Sequence, residues 1–290
     1  MEQNGYVFLN GRLVRAEEAV VSIFDHGFLY GAGVFETFRS YNRRLFLFDA
    51  HMERLFAGLK DLGIDLPTGR AALYRAVMQT LEANGLQDAY IRLSVTAGTA
   101  GLGLTANVYA KPTVLIMVKP LPRFPDSMYE KGKRLVVLSL PRNTPEGYTR
   151  HKSHNFLNLM LAKKELGAVD DAEGLMLTRD GLVAEGIVSN VFLVKKGRLF
   201  TPTLATGILP GVTRGFVLRL AGELGIRAEE RDFPREALYE ADEIFLTNSI
   251  QEIVPVYEVD GVTIGGGKRG PITMKLQQTY HKHIHNFPIG

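Results

Sequence analysis

HKSHNFLNLMLAKKE, residues 151–165, sets one lysine between two histidines, immediately ahead of a run with helical spacing. Most lysines keep their ammonium in water. A minority are reactive amines held in a pocket. Which of these Lys152 is depends on what the rest of the chain can bring to it, and the architecture follows from the same answer.

The composition narrows the field. With 290 residues, 46% hydrophobic and 22% charged, the chain can bury the cores of two ordinary domains. Lys and Arg exceed Asp and Glu by 34 − 31 = 3, spread along the chain, so no nucleic-acid partner is expected. The absence of cysteine excludes disulfides, iron–sulfur clusters, Cys-ligated zinc and thiol nucleophiles. The opening MEQNGYVFLNGRLV lacks the basic-then-apolar pattern of a signal peptide. No apolar run reaches the length of a membrane span, so a cytoplasmic protein without a membrane partner is expected.

Strands and helices alternate from end to end. YVFLNGRLV reads as a hairpin about Asn10-Gly11. RLFLFDAHMERLFAGLKDLGI begins as a strand and turns helical after Asp49, a possible cap. RAALYRAVMQTLEANG reads as a helix closed at Asn84-Gly85. The proline-rich KPLPRFPDSMYEKGK marks a crossover. Beyond it, RLVVLSL and ADEIFLTNS read as strands, while EGLMLTRDGLVAEG, NVFLVKKGRLFTP and PVYEVDGVTI read as hairpins. GVTRGFVLRLAGELGI reads as a helix. The expected organisation is α+β in two domains: 1–119 small and N-terminal, 120–130 a linker, 131–290 larger and C-terminal.

Several attractive motifs fail. TIGGGKRG lacks the first glycine of a phosphate loop and has Arg269 where Ser or Thr should meet magnesium. GAGVFE precedes a strand and lacks the third glycine of the dinucleotide fingerprint. His281, His283 and His285 in HKHIHNF could chelate a metal, but a solvated terminal tail is the expected state, and no metal is assigned. What remains is polar chemistry at strand and helix ends. Glu185 closes a strand in VAEGIVSNVF. Gly211, Val212 and Thr213 open a helix whose free amides suit a phosphate. Thr247, Asn248 and Ser249 cluster at a strand end, and Arg54 is a cation on a mostly apolar helix that could snorkel outward or reach an anion.

In order along the chain stand DHGFLYGAGVFETFRSY, HMERL, HKSHNFLNLMLAKKE, VAEGIVSNVFLV, GILPGVTR and FLTNSIQEIVPV. Together they resemble the fold-type IV pyridoxal-phosphate enzymes, the class IV aminotransferase family, from about residue 5 to about residue 262. The resemblance implies two α/β domains of the D-amino-acid aminotransferase-like type, pyridoxal 5'-phosphate at the domain interface and a homodimer. Lys152 matches the lysine that forms a Schiff base with the cofactor and moves the proton. Glu185, which lies 185 − 152 = 33 residues later, matches the carboxylate on the pyridine nitrogen. Arg54 matches the phosphate arginine, Val212 and Thr213 the helix-start phosphate contacts, and Asn248 and Ser249 the second phosphate and substrate turn.

Within the family, Thr37 and the Asn248-Ser249 turn are similar to aminodeoxychorismate lyase, whereas branched-chain aminotransferases usually have Gly and Thr-Ala there. Leu102 and Leu104 replace the carboxylate-trapping Arg and His of D-amino-acid aminotransferases, and Phe156 replaces a tyrosine on the cofactor's phenolic oxygen. Tyr90 and Arg92 in AYIRL are shared with many branched-chain enzymes. The activity implied is lysis of 4-amino-4-deoxychorismate to 4-aminobenzoate and pyruvate. The alternative is an amino-acid transaminase, branched-chain or less closely D-amino-acid, that uses 2-oxoglutarate. Either takes a small amine or amino-acid substrate. Thr37 joins Lys152 as a catalytic residue, and Tyr30, Phe35, Thr37, Arg39, Tyr90, Arg92 and Asn248 are the expected substrate-binding set.

Overall fold

The computed structural model describes residues 5–169 and 171–286. Met1–Asn4, where the reading of the N-terminus begins, Asp170, and Phe287–Gly290, which end the histidine-rich stretch and the expected second domain, lie outside them. The chain divides into two compact units. One takes the residues up to Pro122 together with His151–Asn155; the other takes Arg123–Arg150 and Phe156–Asn286. The Lys152 segment therefore belongs with the N-terminal unit, although the chain on both sides of it belongs to the other.

The first unit runs β1 (Tyr6–Leu9), β2 (Arg12–Arg15), α1 (His26–Tyr30), β3 (Gly33–Tyr41), β4 (Arg44–Leu45), α2 (Phe48–Asp61), α3 (Arg70–Ala83), β5 (Ala89–Thr96) and β6 (Thr113–Pro120). Among the described residues its six strands form an antiparallel sheet in the order β2-β1-β6-β5-β3-β4. Asn10 and Gly11, both at positive φ, make the expected hairpin turn. Alternation sends Val34 and Phe38 of β3, with Ile91, Leu93 and Val95 of β5, into one core with Met52, Leu55 and Leu59 of α2 and Leu73 and Val77 of α3. Helix α2 begins two residues earlier than the sequence reading allows. Leu47, at φ 55°, precedes it without a side-chain cap, and Asp49 sits inside the first turn, where its charge favours the helix dipole.

The second unit runs α4 (Asp126–Glu130), β7 (Lys133–Val137), α5 (Leu157–Leu166), β8 (Ala172–Leu177), β9 (Val183–Gly186), β10 (Asn190–Lys195), β11 (Arg198–Thr201), α6 (Val212–Glu223), β12 (Ala228–Glu230), α7 (Glu236–Tyr239), β13 (Glu243–Asn248), β14 (Glu252–Val259), β15 (Val262–Thr263) and α8 (Pro271–Asn286). Its nine described strands are mixed, in the order β12-β11-β10-β13-β14-β7-β8-β9, with β15 paired to β14. The described part of the histidine-rich stretch is not a loose tail. It is the last turns of α8, tied by His281 to Glu252 at 2.6 Å and by His283 to Glu223 at 2.8 Å. Buried Glu243 receives the Ile272 and Thr273 amides at the start of that helix, satisfying donors a helix end leaves open. Among the described residues no helix is long and apolar enough to cross a membrane.

Candidate active site

In the first unit the face of the sheet away from α2 and α3 collects the polar residues. The β3–β5 ladder sets Phe35 opposite Ser94, Thr37 opposite Arg92 and Arg39 opposite Tyr90, and partners across a ladder share a face. The Lys152 segment extends this face. Ser153 bridges Val34, the Phe35 amide donates to the Lys152 carbonyl at 2.8 Å, and the His154 amide donates to the Gly33 carbonyl at 3.0 Å. With period two along that segment, Lys152 and His154 fall on the Phe35 side and His151 on the other. The contacts agree. Lys152 Nζ is 4.7 Å from the Phe35 ring centre and the His154 ring 5.9 Å from it, whereas His151 Nε2 meets Asp61 of α2 at 3.0 Å. Gly31, at φ 70°, ends α1 in the left-handed region that favours glycine, and a Cβ there would lie 2.5 Å from Asn155 Oδ1, so a side chain would also displace the Asn155 amide.

Arg92 caps the same ring, its guanidinium carbon 3.6 Å from the centre. Burial holds the Arg92 pKa below the ordinary guanidinium value, partly offset by the Tyr90 hydroxyl. Arg39 stacks on Tyr41 at 4.1 Å. Phe35 is buried and serves as a platform for two cations; it does not form an open wall. Tyr30, at the end of α1, accepts the Gly103 amide at 2.8 Å beside the exposed Leu102 and Leu104.

Arg54 resolves its two sequence readings by turning inward. Its Nε and one terminal nitrogen donate to Glu36 at 2.8 and 2.6 Å, and His51 Nδ1 meets the same carboxylate at 2.6 Å. This cluster lies on the α2 side of β3. Burial pushes the Glu36 pKa up, but Arg54 and His51 outweigh it and hold it at about 2. Burial likewise depresses His51, which Glu36 only partly opposes.

The second unit holds Glu185 on β9. Its Oε1 accepts from Arg142 Nε at 2.8 Å, and its Oε2 accepts from the Leu209 amide at 2.9 Å and from Asn190 Nδ2 at 3.4 Å. Arg150 Nε stands 3.9 Å away, its guanidinium held by the carbonyls of Gly207 and Asn143. Burial and the neighbouring Arg142 bring the Arg150 pKa down to about 10. Asn190 also joins this carboxylate to the Leu209 carbonyl, three residues ahead of α6. A Cβ on Gly211, the residue before that helix, would lie 2.0 Å from Asn190 Oδ1.

Among the described residues no side chain caps α6, Thr213 Oγ1 lies 3.2 Å from Ser249 Oγ, and Thr247, paired with Asn190, keeps a buried hydroxyl without a partner. Asn248 Oδ1 is used locally, accepting the Ile250 and Gln251 amides, which shapes the turn. Sequence reading missed Arg142, Arg150 and Asn190. The two arginines bracketing PRNTPEGYTR, just before Lys152, are the signal that was available.

These donors suit a phosphorylated pyridine. In the second unit an ion-paired carboxylate matches a ring nitrogen, and an uncapped helix start with adjacent hydroxyls and an orphan hydroxyl matches a phosphate; in the first unit, taken by itself, the Lys152 amine is of the kind that bonds an aldehyde. The sequence matches the amino-transferase class IV family over residues 33–259, and the chain belongs to that family. It is a pyridoxal-phosphate-dependent enzyme of fold type IV. It is 45% identical over 282 residues to the aminodeoxychorismate lyase of Bacillus subtilis, covering 97% of this chain and 95% of that one. It is 40% identical to a putative branched-chain-amino-acid aminotransferase of Methanocaldococcus jannaschii, covering 94% of each. The crystal structure of the T.th. branched-chain amino acid aminotransferase with pyridoxamine 5'-phosphate superposes with TM-score 0.88 at 30% identity, covering 97% of this chain and 94% of that one.

Proposed function

We propose that the chain cleaves 4-amino-4-deoxychorismate to 4-aminobenzoate and pyruvate. The observation that carries this is the 45% identity, across nearly the whole of both chains, to a lyase of that name. Thr37 supports it, because it stands opposite Arg92 on the face that bears Lys152. In this reading Lys152 holds the cofactor, Glu185 pairs with its ring nitrogen, and Val212, Thr213, Ser249 and Arg54 serve its phosphate. The bound cofactor supplies an electron sink for a carbanion.

The substrate amine displaces the Lys152 amine, which is then free to act as a base. Lys152 takes the proton from the ring carbon bearing that nitrogen. The bond from the neighbouring ring carbon to the enolpyruvyl oxygen breaks with its electron pair leaving on oxygen, the ring becomes aromatic, and the released enolate takes up on its methylene carbon the proton that Lys152 removed, to give pyruvate. Atoms and electrons balance without a co-substrate. Thr37 and Asn248 orient the substrate, and Arg39 and Arg92 attract its carboxylates. The protein acts as a homodimer in this reading.

Incubation of purified protein with 4-amino-4-deoxychorismate alone should release pyruvate and 4-aminobenzoate in equal amounts. Strict dependence on 2-oxoglutarate, with turnover of an aliphatic amino acid, overturns the proposal. It establishes the second reading, a branched-chain-type transaminase, which the 40% identity to an aminotransferase and the Tyr90–Arg92 pair favour.

A further inference from the structure

His154 is a polar side chain on the Lys152 face that the roles above leave unused. Its Nε2 is buried and has no hydrogen-bond partner among the described residues. Leaving a buried polar atom unpaired forfeits the hydrogen bonds it would make in water, and native structures rarely do so without a ligand, ion or water to complete the group. A histidine buried only for packing finds a neighbour for its second nitrogen. Here the backbone amide of His154 is satisfied by Gly33, and the ring is turned to the face of Phe35, beside Arg92.

The surroundings select the ligand. Burial and the Arg92 charge hold the His154 pKa down at about 4, with Asp25 a smaller opposing influence, so near neutral pH the imidazole is uncharged and can donate from Nε2. A metal cation is disfavoured by the adjacent guanidinium, and among the described residues no three metal-ligating side chains gather. An anion completes both groups: Arg92 supplies the charge and His154 a directed donor. Lys152 and His154 lie two residues apart, so their Cα atoms are separated by at most about 7 Å. That is roughly the span from an amine across a six-membered ring to a carboxylate on the opposite carbon.

We propose that His154, with Arg92, binds the ring carboxylate of the substrate opposite its reacting amine, and so selects ring amino acids over aliphatic ones. This rests on the lyase reading for the identity of the ring. It makes His154 a specificity-determining residue two positions from the reactive lysine.

The test uses the cofactor-loaded enzyme with 4-aminobenzoate and its neutral isostere 4-aminobenzamide as probes, and their dissociation constants are read from the cofactor absorption. Wild-type enzyme should prefer the carboxylate about tenfold, the worth of one charged hydrogen bond. His154→Leu should reduce the preference to within about twofold, and His154→Gln, which keeps a donor, should restore part of it. In the unsubstituted enzyme the imidazole resonance of His154, assigned by its absence from either His154→Leu or His154→Gln, should move on adding 4-aminobenzoate and stay in place with the amide, a readout that needs no variant to bind the probes. A preference unchanged in His154→Leu, no preference in the wild type, or an unmoved resonance overturns the proposal. Failure of the lyase reading shows separately, as no pyruvate from 4-amino-4-deoxychorismate in the wild type.

Discussion

Lys152 is joined to Phe35 twice: its carbonyl accepts the Phe35 amide at 2.8 Å, and its ammonium stands 4.7 Å from the centre of the Phe35 ring. The first contact fixes the backbone of a segment that is neither helix nor regular strand. The second keeps the amine over a face it can leave, since an interaction of this kind is worth about 0.5–2 kcal/mol. In the role proposed for Lys152, an amine that bonds a cofactor and then lets go needs a firm base and a movable tip. The Lys152–Phe35 pairing provides both.

Replacing Lys152 with Ala should therefore remove chemistry without removing structure. Borohydride treatment should fix the cofactor to a peptide containing Lys152 in the wild type and to none in Lys152→Ala. Turnover should fall by about 10²–10⁴, the usual worth of a positioned base. The apo-protein's melting temperature should hardly change, because the bonds to β3 are made by backbone.

Glu36 predicts a different phenotype. Glu36→Gln leaves the Arg54 charge without its buried partner and should cost about 3–5 kcal/mol. The dependence on pH has a definite sign. A carboxylate held at about 2 contributes its full stabilisation above the ordinary carboxylate range near 4.3 and loses it as the pH falls through about 2. Urea titrations should show a constant gap between wild type and variant from about pH 8 to pH 5, narrowing below about 4.5. A gap that opens only in acid contradicts the assignment.

Arg142 and Glu185 should behave as a coupled pair. Arg142→Met alone takes the nearest cation from a buried carboxylate that still has Arg150 at 3.9 Å, at about 1.5–3 kcal/mol of apo-protein stability for a charged hydrogen bond. The double variant Arg142→Met/Glu185→Gln should recover much of that loss while staying inactive, with a coupling energy above about 1 kcal/mol in a double-mutant cycle. Additive effects mean that Leu209, Asn190 and Arg150 suffice to hold Glu185.

Glu243 should matter for α8 and not for catalysis. Glu243→Ala removes the acceptor of the Ile272 and Thr273 amides and should destabilise the helix by about 1.5–3 kcal/mol for a charged hydrogen bond. Amide hydrogen exchange in α8 should speed up while turnover holds. Unchanged protection would show that the His281–Glu252 contact secures the helix by itself.

Local signals were legible wherever neighbours in the chain decide the outcome. Asn10-Gly11, the start of α6 at Val212 and the strand end at Thr247–Ser249 lie where turn chemistry and β-branched runs put them. What stayed hidden depends on partners far along the chain. His281 finds its acceptor at Glu252 and Glu185 its cation at Arg142, and no window of ten residues contains either pair. The start of α2 at Leu47, against the cap offered by Asp49, is a backbone choice that propensity does not encode. Arg54 showed its charge in the sequence but not its destination, because Glu36 gives no sign of being buried until β3 and α2 are packed together.

The placement of His151–Asn155 also bears on how the protein comes to be made. A ribosome that has finished the first unit's sheet through β6 has still not supplied the piece that bridges Val34 on β3, because Arg123–Arg150 of the second unit must emerge before it. A fragment ending at Pro122 would leave the start of β3 with unpaired backbone groups, an open edge of the kind that recruits other chains. Lys152 arrives on the segment that closes that edge, so a nascent chain gains this side chain and loses an open edge in one step.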